Sequence, residues 1–143
     1  MKRKLIIFII ISVIALFYFK PLQLSNLIDE NKEILITQIE LTVKNGEANN
    51  NSETYNDLTD EQKNSIITLF ENYCYRRTFG TIFSDGSLSD LGDKLLHIYI
   101  YNGTTLVNSL SFSTTGDVVV NNKTYKMKNT HELIDKTLEI VKG

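Results

Sequence analysis

At 143 residues, 42% hydrophobic and 22% charged, the chain has the length of one packed domain and too much apolar content for a disordered one. The net charge of −2 hides an asymmetry: Lys2, Arg3, Lys4 and Lys20 fall in a stretch without acids, so the remainder holds 11 bases against 17 acids, a net −6. That acidity argues against nucleic acid as a partner, and a lone cysteine rules out an internal disulfide.

In chain order, "MKRKLIIFIIISVIALFYFKP" comes first. Three cations precede Leu5 to Phe19, where the only strongly polar side chain is Ser12. At about 1.5 Å per residue the run spans roughly 22 Å, against about 30 Å of hydrocarbon, with Lys4, Lys20 and Tyr18 placed to make up part of the difference. No pair of small residues follows to mark a cleavage site, and no cysteine is placed for lipidation. The expectation is an uncleaved signal-anchor over residues 1–24, with the membrane contacted through residues 5–19 and the carboxy-terminal part outside it. Cleaved secretion is the alternative.

Residues 25–33 read as a stalk, and a domain is expected over 34–143. "ILITQIELTVK" alternates Ile39, Leu41 and Val43 with Gln38, Glu40 and Thr42, the pattern of a half-buried strand. "NGEANNNSETYND" reads as a polar loop. Thr59 with Gln62 forms a capping-box pattern, and Ile66, Ile67, Leu69, Phe70, Tyr73 and Cys74 make one helical stripe, with Cys74 as a small core residue.

Arg76 and Arg77 follow where that helix should stop. "SDGSLSDLGD" fails the spacing of a calcium loop: counting from Asp85, glycine falls second and Leu96 twelfth. Its serines, aspartates and glycines instead suit turns. "KLLHIYIYNGTTLVNSLSF" reads as a hairpin about Tyr101-Asn102-Gly103, pairing Ile98 with Leu106 and Leu96 with Asn108. This puts Leu96, Ile98, Ile100, Leu106, Leu110 and Phe112 on one face and His97, Tyr99, Ser109 and Ser111 on the other. A further hairpin turns near Asn121-Asn122. Asn129 caps a last helix with Leu133, Ile134, Thr137, Leu138 and Val141 in its stripe.

The expected fold is therefore α+β: an N-terminal membrane anchor helix, then a two-layer domain with an antiparallel sheet of about five strands and two helices on one face. The segments "ITQIELTV", "YCYRRTFG", "KLLHIYIYNG" and "VVVNNKTYKM" before a closing helix resemble small uncharacterised extracytoplasmic domains of low-GC Gram-positive bacteria, membrane-anchored or lipoprotein-borne. The resemblance covers about residues 34–141. It implies a place in the envelope and a fold, and it carries over no catalytic residues.

No nucleophile–base–orienter set, phosphate loop or metal-spaced cluster is legible, so no catalytic, cofactor or metal residues are expected and the chain reads as non-enzymatic. The expected function is a membrane-tethered binding or regulatory module that meets an unknown envelope protein, with Arg76, Arg77, His97 and Tyr99 as the possible partner surface. The alternative is an immunity or inhibitor protein against a toxin or peptidase.

Overall fold

Alternating apolar and polar side chains build six strands into one antiparallel sheet of order β2-β1-β3-β4-β5-β6. The structure is a computed structural model and describes residues 2–28, 36–44, 50–88, 92–102 and 104–143. The strands are β1 (Ile36–Lys44), β2 (Asn50–Tyr55), β3 (Lys94–Asn102), β4 (Thr105–Ser113), β5 (Asp117–Val120) and β6 (Lys123–Lys126). The α-helices are α1 (Lys2–Tyr18), α2 (Asp60–Glu71), α3 (Phe79–Ile82) and α4 (Thr130–Lys142).

One sheet face carries Ile39, Leu41, Leu96, Ile98, Ile100, Leu110, Phe112, Val118 and Val120, all buried in a common core with Ile66 and Phe70 of α2 and Leu133 and Ile134 of α4. The rings of Phe70 and Phe112 meet at 4.9 Å where α2 lies on β4. Thr59 caps α2 as the sequence suggests: its hydroxyl accepts from the Gln62 amide (3.2 Å), and its own amide donates to Gln62 Oε1 (2.9 Å). Gln62 Nε2 also donates to the Ile140 carbonyl at 2.9 Å, which ties α2 to the end of α4.

Several expectations are corrected. The sheet has six strands rather than about five, because β2 lies in the stretch read as a loop. It pairs Leu41 with Glu53 and Ile39 with Tyr55, but apart from Tyr55 its described side chains are polar on both faces, so no alternation betrays it. The β3–β4 hairpin turns later than expected. Tyr101 pairs with Leu106, a bulge follows at Ile100, and Ile98 faces Leu110 rather than Leu106. The displacement is even, so the apolar face survives it, while Leu106 is left 47% exposed and Asn108 buried.

The expected membrane anchor is overturned as well. Among the described residues no helix is long and apolar enough to cross a membrane. α1 has 17 residues including its leading cations, about 26 Å of helix. On its carboxy-terminal side, Leu22 is already paired with Tyr75 through backbone hydrogen bonds of 2.9 and 2.8 Å. The large apolar side chains from Leu5 to Phe17 stand exposed along it. Of the expected stalk over residues 25–33, residues 29–33 lie outside the described residues, and Ile28 is buried in the core together with Leu24.

α2 ends at Glu71, so Cys74 leaves the helical stripe and is exposed rather than buried. Asn129 occupies the cap position of α4 with φ 59°, but its side chain makes no cap hydrogen bond. The Asn121-Asn122 turn is as expected, with both residues at positive φ (47° and 64°) between the paired Val120 and Lys123.

Tyr75 is fully buried, and its hydroxyl has no hydrogen-bond partner among the described residues. Burial, followed by the nearby Glu71 carboxylate, holds this phenol well above its ordinary pKa. Removing an unsatisfied buried hydroxyl relieves a desolvation penalty, so Tyr75→Phe should leave stability unchanged or raise it by about 1 kcal/mol. A urea unfolding series checks this. A loss above about 1 kcal/mol would show that the hydroxyl is bonded after all.

Candidate functional site

The second sheet face is not covered by α2 or α4. Strand alternation puts Glu40 and Thr42 of β1, Ser52 and Thr54 of β2, His97 and Tyr99 of β3, and Ser109 and Ser111 of β4 on it. Register aligns one row across the sheet, Glu40–His97–Ser111–Val119–Thr124, and a second, Gln38–Tyr99–Ser109, beside it. At the β6 end of the first row the connection after α3 comes in: Ser84 Oγ lies 2.6 Å from Thr124 Oγ1 and accepts from the Thr124 amide at 3.0 Å. The β1–β4 end stays open, with His97 and Tyr99 half-buried.

His97 Nδ1 is 2.7 Å from Ser111 Oγ, and the His97 and Tyr99 rings stack at 6.0 Å with 22° between their planes. Burial pushes the His97 pKa below the usual 6.5, and the Glu40 charge opposes that only in part. Burial likewise raises the Tyr99 phenol, reinforced by Glu40 and Tyr101. Glu40 Oε1 accepts a 2.9 Å hydrogen bond from Ser52 Oγ. The face thus offers a rigid aromatic pair framed by hydroxyls, one carboxylate and one carboxamide.

No protein-family model matches the chain, and no curated protein or solved structure matches it.

The four side chains expected to form one surface do not come together. His97 and Tyr99 share the open face. Arg76 is held beside β6 by backbone hydrogen bonds to Lys126 of 2.8 and 2.9 Å, four strand positions from β3, or about 19 Å. Its side chain lines a separate cavity of about 280 Å³ with Asn72, Tyr73, Cys74, Lys128, Asn129 and Glu132. Arg77 is a fold residue: its guanidinium sits 5.2 Å over the Tyr18 ring, and Nη1 donates to the Tyr18 carbonyl at 3.5 Å. A cation is favoured at that helix end by the α1 dipole.

The cavity at Cys74 is lined by Glu132 and Lys128 and by no histidine. The Ser111–His97 contact is the pair that the sequence reading missed, because the expected register did not set those residues opposite each other. Among the described residues no hydrogen bond joins Glu40 to the ring, and its carboxylate is engaged by Ser52 instead. Turn chemistry holds in the aspartate loop, where Asp85 Oδ1 accepts from the Ser87 amide at 2.9 Å. No group of three metal-ligating side chains converges among the described residues.

Proposed function

We propose that this chain is a non-enzymatic protein-binding module acting outside the cytoplasm, and that the open β1–β4 face around Tyr99 and His97 is the surface that meets its partner. The observation that carries this reading is the stacked Tyr99–His97 pair on the sheet face that α2 and α4 leave uncovered. Tyrosine is favoured at interfaces because it supplies large contact area with few rotatable bonds and a polar tip. Serines and threonines around it suit a rim that hydrogen-bonds either to water or to a partner. Placement outside the cytoplasm is supported by the amino-terminal cations followed by an apolar run, a pattern that export machinery reads. It agrees with the resemblance to extracytoplasmic domains and makes an envelope protein the expected partner.

The test is cross-linking on intact native cells with a tagged full-length chain, comparing wild type with Tyr99→Ala. A central aromatic contact is worth about 2 kcal/mol or more, so partner recovery should fall by about tenfold or more. Arg76→Ala, on the far side of the sheet, should leave recovery within about twofold, since nothing there contributes to the face. Equal recovery from the Tyr99→Ala chain, with unfolding unchanged, removes this face from the account.

A further inference from the structure

Resting on the reading of the open face as a contact surface, we infer that protonation of His97 gates the contact, with the neutral ring as the binding form. Among the described residues, few groups face the ring. β1 contributes Glu40, β3 contributes Leu95 and Tyr99, and β4 contributes Ser111. Asp117 and Lys126, further along the sheet, pair with each other. Glu40 is the only charged neighbour in the cross-strand row, and its carboxylate already accepts from Ser52.

The ring is half-buried before any partner arrives, stacked on Tyr99 and bonded to Ser111. A partner seated over Tyr99 completes that burial. Covering a neutral imidazole costs little once its hydrogen bond is kept, whereas covering an imidazolium adds the desolvation of a charge with only one engaged carboxylate nearby. Protonation also reorders the polar contact. The neutral Nδ1 can accept the Ser111 hydroxyl proton, but the protonated Nδ1 can only donate, so the serine hydrogen must turn away.

The sign follows from linkage. Burial has already lowered the pKa of the free protein's ring below 6.5, and a complex that excludes water lowers it further. Affinity is therefore flat above the free value and falls as pH drops through it, by at most about tenfold per pH unit until the bound value is reached.

The experiment is the same cross-linking on full-length chain near pH 7.5 and near pH 5.5, for wild type and His97→Gln, whose side chain is neutral at both and keeps a polar partner for Ser111. Wild-type recovery should fall at the lower pH, by no more than about tenfold because the free ring titrates below 6.5, while His97→Gln recovery should be the same at both. In parallel, the ring is titrated by NMR in the free chain, where only His97 and His131 contribute signals. A His97 midpoint below the usual 6.5 is expected. A parallel fall in wild type and variant, or a flat wild-type profile with the partner retained, overturns the gating alone. Absence of any partner from wild type at either pH overturns the contact-surface reading and this inference with it.

Discussion

Phe112→Ala should destabilise the protein by about 3–5 kcal/mol, read as a lower urea midpoint with unchanged slope. Phe112 is fully buried near the end of β4, where its ring meets Phe70 of α2 and where β3 and β5 flank it through Leu96 and Val118. Truncation removes the transfer energy of the ring and leaves a cavity that cannot close, because sheet neighbours hold the backbone on both sides. For a domain of this size the loss is a large share of total stability. Phe83→Ala is the control: that ring is 85% exposed, so its removal should change stability by less than about 0.5 kcal/mol.

Gly116→Ala should cost about 2–3 kcal/mol, a large effect for one methyl group. Gly116 closes the β4–β5 turn at φ 93°, its amide donates to the Ser113 carbonyl (3.0 Å), and its carbonyl accepts from the Met127 amide (2.9 Å). A Cβ there would lie 2.9 Å from the Met127 carbonyl oxygen, a backbone atom that cannot swing aside. Positive φ and the clash therefore add. Gly143→Ala, also at positive φ but in open space at the chain end, should be close to neutral. Thermal unfolding of the two variants side by side checks this, and equal midpoints would contradict it.

How much of this was legible in the sequence depended on whether side chains recorded their surroundings. The α2 and α4 stripes and the β3 and β4 alternation were readable, since each element buries one face and exposes the other. β2 was not, because its side chains carry no such contrast and only pairing with β1 makes it a strand. The β3–β4 register failed for a related reason: shifts by an even number of residues all keep the apolar face intact, so patterning could not choose among them. Apolarity likewise identified the first helix, but its end was set by the Leu22–Tyr75 pairing and the Arg77 contact with Tyr18, which have no local signature.

The site was half legible. His97 and Tyr99 were placed on the outward face correctly by alternation alone. The expected surface also includes Arg76 and Arg77, but the order of the strands puts Arg76 at the opposite side of the sheet. The Ser111–His97 bond and the engagement of Glu40 by Ser52 needed the register, so neither was within reach of composition or spacing.

The most direct measurement places a photo-reactive benzophenone side chain at position 99, and separately at Asn64, which is exposed on α2 in the other layer. Irradiation of native cells carrying each full-length chain should give a discrete adduct from position 99 and none from position 64. Equal adducts from both positions, or an adduct from position 64 alone, would contradict the open face of the sheet as the contact surface.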